Sequence, residues 1–237
     1  MQSLGSFDDE RKKRTYEDLC RLPGNDVLQV HRYLDLGAKW KICHASVAEL
    51  GAEAVKDLLG FEIPKPVLLA ESGAVEPNHA GPFKLYEKDK DGIILHDVLF
   101  APFFTGAAGP GHCWHWDHYV HKNDLWHVLG QFSKTVEGLD PGAEKFEPFE
   151  IPHSRCFLYG LKGKTKTLVW CRDRLNTWQT ELDEGKAPEI VEKLELTLSG
   201  TRVEVYDPWT DKRLAAKVSD GKITIPAFRR SVVVAVS

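Results

Sequence analysis

The chain has 237 residues, with 31 Lys and Arg against 35 Asp and Glu, a net charge of −4 and 42% hydrophobic residues. That balance excludes a disordered chain and argues against nucleic acid or an anionic membrane as partner. No run approaches the roughly 18 consecutive apolar residues of a membrane helix. The stretch from Met1 to Arg21 is charged and does not read as a secretory signal, so a chain naturally starting at Met1 is expected in the cytoplasm. Five cysteines, Cys20, Cys43, Cys113, Cys156 and Cys171, are odd in number, widely spaced and without a C-x-x-C pair; they read as reduced, mostly buried thiols. Seven Trp and eleven Phe stand against one Met, so the placement of each Trp decides between core packing and a stacking surface.

In chain order, the turn signal Pro23-Gly24-Asn25-Asp26 introduces an expected strand over Val27 to Tyr33. Ser46 and Glu49 have capping-box spacing ahead of a helix whose apolar stripe is Val47, Leu50, Ala54, Leu58 and Phe61, ending at Gly60. Val67 to Ala70 is a continuous apolar run suited to a strand covered on both faces, as in a parallel sheet. A loop is expected from Ser72 to Asp91, then an apolar helix over Gly92 to Thr105. The turn GAAGPG leads to a third expected strand, His112 to Tyr119, and a helix over Asp124 to Glu137. This order of strand and helix is the α/β pattern of a parallel sheet.

After Pro148 the composition changes. Short β-branched runs (Cys156–Gly160, Thr167–Arg172, Lys193–Leu198, Val203–Tyr206, Lys222–Ile225 and Ser231–Val236) are separated by turn signals. They predict an antiparallel β-sandwich. The expected domains are 1–142 and 148–237.

Open α/β sheets and α/β barrels place their sites at the C-terminal strand ends. Period two puts Val27, Gln29, His31 and Tyr33 on one face of the first strand, and Glu71 in phase with Val67 and Leu69 on the second. The third carries His112, Trp114 and Trp116 on one face, followed by Asp117 and His118. One carboxylate, a Tyr, two His and two Trp are therefore expected at one end of the sheet. Each residue type also has an ordinary structural use: a Glu before Gly ends a strand or turn, His-x-Tyr packs at a core rim, and paired Trp fill cores.

The runs LQVHRY, PVLLAESG and GAAGPGHCWHWDHYV resemble strands six, seven and eight of the (β/α)8 barrel of clan A glycoside hydrolases, nearest to cellulase-like family 5. Residues 150–237, with the Tyr206-Asp207-Pro208-Trp209 hairpin, resemble the β-sandwich that follows such barrels. The resemblance implies a fold that is α/β plus all-β, a half (β/α)8 barrel of strands five to eight and a sandwich. It implies retaining hydrolysis of a β-linked glycan such as a β-glucan, with Glu71 as nucleophile and Tyr33 orienting it. His31 and His112 would line the sugar subsite, Trp114 or Trp116 would lie under the ring, and no cofactor or metal would be needed.

Retaining hydrolysis needs a second carboxyl group roughly 5–5.5 Å from the first. In clan A it follows an Asn at strand four, and this chain has no Asn-Glu dipeptide. It is expected to begin near strand five, at Ser3-Leu4-Gly5, because its strands start roughly 40 to 45 residues apart and eight such units exceed the space before the sandwich. Half a barrel exposes two sheet edges, so a homodimer or higher oligomer closing it is expected, with Asp117 of the second copy as stand-in acid. Two other classes are open. One is a non-catalytic carbohydrate-binding module or inactive fragment. The other is a metal protein using His112, Cys113, His115, Asp117, His118 and His121, whose strand spacing suits a metal poorly.

Overall fold

The computed structural model describes residues 5–237, so Ser3 and Leu4 of the expected fifth strand lie outside the described residues. The chain forms two compact units, Met1–Trp126 and His127–Ser237.

The first unit is α/β. Its elements are α1 (Lys13–Cys20), β1 (Leu28–His31), β2 (Leu34–Asp35), α2 (Val47–Leu59), β3 (Val67–Glu71), β4 (Ala74–Val75) and α3 (Ile93–Phe104). The α2 helix starts where its sequence says it should: Ser46 Oγ accepts from Glu49 N at 3.2 Å, and the stripe Val47, Leu50, Ala54 and Leu58 is buried. A cap of this kind contributes about 1 kcal/mol. Leu28, Val30, Val67 and Leu69 pack with Ala54, Val55, Leu58, Phe7 and Tyr16 in one core. Each fully buried Leu or Val there contributes roughly 1.5–3 kcal/mol.

β1 and β3 pair in parallel, and shorter segments extend the arrangement on both sides. Ser6 bridges His31 in parallel, with Phe7 N donating to the His31 carbonyl at 2.6 Å. Cys113 bridges Ser72 in parallel; His112 N donates to the Leu69 carbonyl at 3.2 Å and Trp114 N to the Ser72 carbonyl at 3.0 Å. Four parallel segments thus follow in spatial order 6–7, 28–31, 67–71 and 112–114. Beyond β1 and β3, β2 pairs with β4 in parallel, so the sheet continues past its break.

Two expectations need correction. The strand expected over His112 to Tyr119 is limited to the short bridged segment, and Trp116–His121 is a π-helical turn. Tyr119 and Val120 are both buried although adjacent, which the opposite-facing side chains of a one-sided strand would not allow. Tyr119 is drawn inward by stacking on Tyr86 at 4.0 Å and by donating to Asp89 Oδ2 at 2.5 Å. The loop expected over Ser72 to Asp91 also contains β4 and two short 3-10 turns. It ends in Asp89, fully buried, whose carboxylate accepts from Ile93 N and Ile94 N at 2.8 and 2.9 Å and so caps α3. Burial raises the Asp89 pKa, against the pull of these donors.

In the second unit, α4 (Trp126–Thr135, which begins on the last residue of the first) and α5 (Pro141–Glu144) precede the strands β5 (Glu147–Glu150), β6 (Cys156–Lys162), β7 (Thr167–Asp173), β8 (Ile190–Val191), β9 (Leu194–Thr197), β10 (Val203–Asp207), β11 (Lys212–Leu214), β12 (Lys217–Ser219), β13 (Lys222–Ile225), β14 (Phe228–Arg229) and β15 (Ser231–Val236). A six-stranded antiparallel sheet runs β11-β10-β15-β7-β6-β5, and a three-stranded one runs β12-β13-β9. Leu158, Val169, Val205, Val232 and Val234 of the first share a core with Leu194, Leu196, Ile223 and Ile225 of the second. Alternating apolar side chains produce this two-sheet packing.

Gly73 separates β3 from β4 with φ +110, and a Cβ there would lie 2.7 Å from the Tyr86 hydroxyl. Gly73→Ala is expected to lower stability by about 1–3 kcal/mol, read as a lower urea midpoint with an unchanged slope.

Candidate functional site

The site begins with a register slip. Leu28, Gln29 and Val30 pair with Val67, Leu68 and Leu69, but His31 pairs with Glu71, which leaves Ala70 as an extra residue on β3. A bulge turns every later side chain to the opposite face. Glu71 therefore leaves the buried face of Val67 and Leu69, where period two had placed it, and joins the face of Gln29 and His31. This corrects the expected phase of Glu71. Its contact with the end of β1 depends on the slip.

There Glu71 is 28% exposed and its Oε2 meets two groups. The Tyr33 hydroxyl donates to it at 2.5 Å, and His31 Nδ1 lies 3.1 Å away. Burial, the hydrogen bond and the carboxylate charge all push the Tyr33 phenol above its ordinary pKa, so it remains a donor. Burial lowers the His31 pKa, while the charge on Glu71 opposes that shift. Two uncharged side chains thus fix one carboxylate, leaving part of it open to a ligand. A carboxylate held this way can act as a nucleophile, a base or an acceptor for a bound hydroxyl.

Among the expected site residues, Glu71, Tyr33 and His31 come together. His112 is exposed, and Trp114 and Trp116 are each more than half exposed. Trp116 lies 6.3 Å from Trp126, ring centre to ring centre, at 48°, forming an open aromatic pair. Asp117 is 54% exposed on the π-helical turn and lies 3.5 Å from His118 Nε2. Among the described residues no group of three His, Cys, Asp or Glu side chains is gathered to hold a metal ion. In the His112–His121 run the His115 and His118 rings lie 6.3 Å apart, centre to centre. No helix among the described residues is long and apolar enough to cross a membrane.

Three further residues shape this region: Cys113, weighed above only as a metal ligand, and Tyr86 and His79, which the sequence did not single out. Cys113 is turned inward beside Gly73 and Tyr86, and burial pushes its thiol up to about 12, so it is not a thiolate nucleophile at neutral pH. Tyr86 accepts from Ala74 N at 2.6 Å, which fixes the start of β4. His79 packs edge-on against Tyr33 with ring centres 5.1 Å apart. Its one sequence signal is the polar turn Glu76-Pro77-Asn78-His79-Ala80-Gly81, whose geometry local composition does not define.

No family model matches this sequence, and no curated protein matches it. Solved structures do. CldA, a cyclomaltodextrin glucanotransferase with a three-domain ABC distribution, aligns over 99% of this chain and 48% of its own, at TM-score 0.50 and 10% identity. A GH30 endoxylanase from Clostridium papyrosolvens C71 aligns over 90% of this chain and 48% of its own, at TM-score 0.47 and 16% identity. The GH30 subfamily 8 xylanase Xyn30A from Clostridium acetobutylicum aligns over 88% and 48%, at TM-score 0.40 and 13% identity. This chain spans about half the length of each. The likeness is one of fold.

The electrostatics of the His31–Glu71 contact can be checked directly. In Glu71→Gln the opposing charge is gone, so the His31 imidazole, already below its ordinary 6.5, should titrate at still lower pH by NMR. The sign for stability follows. The fold favours neutral His31, so its contribution diminishes as pH falls from about 6.5 toward the lowered native value.

Proposed function

We propose that this chain carries a retaining glycoside hydrolase site of clan A type acting on a β-linked glycan, with Glu71 as the nucleophile. The observation that carries the reading is the Tyr33–Glu71–His31 contact at the C-terminal end of two paired parallel strands. A nucleophilic carboxylate must be ionised and must present one oxygen along a fixed line to the anomeric carbon. The Tyr33 donor fixes Oε2, leaving Oε1 as the attacking atom. His31 stands beside it where a sugar hydroxyl would bind. Trp114 and Trp116 supply exposed apolar faces for the C–H-rich side of a sugar. His112 lies on the same bridged segment as Trp114.

The architecture assigned with this function is half of a (β/α)8 barrel, its strands five to eight being the four parallel segments, followed by the sandwich. On β1 and β3, Gln29, Leu68 and Ala70 are only partly buried, whereas Leu28, Val30, Val67 and Leu69 are buried beneath the helices. The partly covered face is the one a complete barrel would enclose. A second copy of the chain closing that face is the partner that fits, in an isologous pair.

A second reading draws on the partners of Glu71. Among the described residues these are Tyr33 and His31, neither of them a carboxylic acid. A site that holds a glycan without cleaving it needs no more than this.

Two measurements separate the readings. On aryl β-glucosides and β-xylosides, Glu71→Gln is expected to lose about 10³-fold or more of the wild-type rate. Glycan binding to wild type and variant alike, with no turnover by either, would establish the binding module instead. Light scattering of the purified chain should give twice the monomer mass; a monomer at working concentration removes the paired barrel.

A further inference from the structure

Asp35 and His79 form a pair that the reading above leaves without a role. Asp35 lies at the end of β2 and is 2% exposed. Its carboxylate accepts from Gly37 N at 2.8 Å, from Asn78 N at 3.0 Å and from His79 Nδ1 at 2.9 Å. A carboxylate that accepts here is met by an N–H on Nδ1, so Nε2 is the ring nitrogen not engaged by Asp35. The backbone is bent to make this contact. Asn78 and His79 both have φ near 60°, a left-handed conformation that non-glycine residues seldom adopt. Gly37 lets the two loops approach, since a Cβ there would lie 2.6 Å from Asn78 N. Two consecutive strained residues held by one buried carboxylate are the kind of arrangement that collects at functional sites.

The position of His79 relative to Glu71 gives the pair its meaning. The His79 ring meets Tyr33 edge-on, and the Tyr33 hydroxyl is bonded to Glu71. His79 and Glu71 thus both contact Tyr33, one at its ring and the other at its hydroxyl. His79 also lines a recess of about 310 Å³ with Asn78, Asp35, Gly37, Lys39 and Asp8. Asp9 and Arg11 complete the charged groups around it. The recess is polar and its size is at the low end for a small-ligand site.

We propose that His79, oriented by Asp35, is the proton donor and acceptor for cleavage at Glu71; this rests on the retaining reading. In the first step a Glu71 oxygen bonds to the anomeric carbon and the bond from that carbon to the leaving oxygen breaks. The leaving oxygen takes the proton on Nε2 of the imidazolium, leaving a neutral ring still bonded to Asp35 through Nδ1. In the second step Nε2 takes a proton from water, the water oxygen bonds to the anomeric carbon, and the ester to Glu71 breaks. Carboxylate and imidazolium are both restored.

The test uses the full chain and aryl β-glucosides and β-xylosides whose leaving groups differ in acidity. Dinitrophenolate departs without protonation, whereas unsubstituted phenolate needs a donor. His79→Asn retains a residue that tolerates the left-handed backbone. It is expected to lose about 10²–10⁴-fold in kcat/KM on phenyl glycosides and less than about tenfold on dinitrophenyl glycosides for glycosylation. Azide, a nucleophile that needs no base, should restore its turnover and yield a β-glycosyl azide. Asp35→Asn, which keeps the loop contacts but removes the charge, should show the same split to a smaller degree. Equal losses on both substrates, or none on either, overturn the assignment. The split appearing in Asp117→Ala and not in His79→Asn moves the role to Asp117. A wild type that neither releases dinitrophenolate nor forms an adduct at Glu71 overturns the hydrolase reading, and the donor role with it.

Discussion

The register slip between β1 and β3 is the constraint on which the site depends. Were Ala70 paired in regular register with His31, Glu71 would continue the buried face of Val67 and Leu69 and point into the core beneath α2. A carboxylate there would face apolar side chains at a cost of several kcal/mol. With the slip it reaches Tyr33 and His31 instead. The same break allows Leu34 N to bond the Gly73 carbonyl at 2.9 Å, so β2 and β4 resume pairing beyond it. The bulge is thus enclosed by regular pairing on both sides, which holds Glu71 more firmly than a loop end would.

A second set of contacts shapes the surroundings from below. Asp89, buried without a cationic partner among its hydrogen bonds, accepts from two backbone amides at the start of α3 and from Tyr119. Those donors tie α3 to the π-helical turn. Tyr119 then stacks on Tyr86, and Tyr86 fixes Ala74 beside Gly73. A chain of close contacts therefore runs from a helix cap to the segment immediately after Glu71. Arg32 does comparable work on the other flank. It is fully buried, stacked 4.5 Å from Phe7 and 4.4 Å from Trp40, and paired with Asp57 on α2 at 2.9 Å.

Much of the fold was legible because its signals are local. The Ser46 cap, the α2 stripe, the apolar run of β3 and the turn-separated strands of the second unit each follow from short-range chemistry. That Glu71, Tyr33 and His31 share one end of the sheet was expected from the strand ends, and the Tyr33–Glu71 contact from the resemblance, but the bulge that produces it was not. A bulge is a property of pairing between two strands, and neither Val27–Tyr33 nor Val67–Glu71 carries it singly. The run from His112 to Tyr119 misled for a related reason. Its apparent alternation matches the exposed Trp114 and Trp116, yet Tyr119 answers to Tyr86 and Asp89, some 30 residues earlier. His79 was illegible because its position is set by Asp35, which is 44 residues away in sequence.

The choice between Asp117 and His79 as proton donor can be argued from preorganisation. A group that transfers a proton must be held within a fraction of an ångström of its productive place. Asp117 is 54% exposed, and its contact with an exposed His118 at 3.5 Å leaves its side chain free to rotate. To act it must also be delivered by a second copy, so its position depends on how well two chains dock. His79 is 38% exposed, enough to admit a ligand, while its ring is fixed by a carboxylate that is itself bound by two backbone donors. The left-handed backbone at Asn78 and His79 costs about 1–3 kcal/mol per residue, and the Asp35 bonds offset that cost only in this one ring position. The first unit therefore contains a carboxylate fixed at the end of β3 and an imidazole fixed on the loop that follows β4. Pairing of chains would then serve to cover the sheet rather than to complete the chemistry.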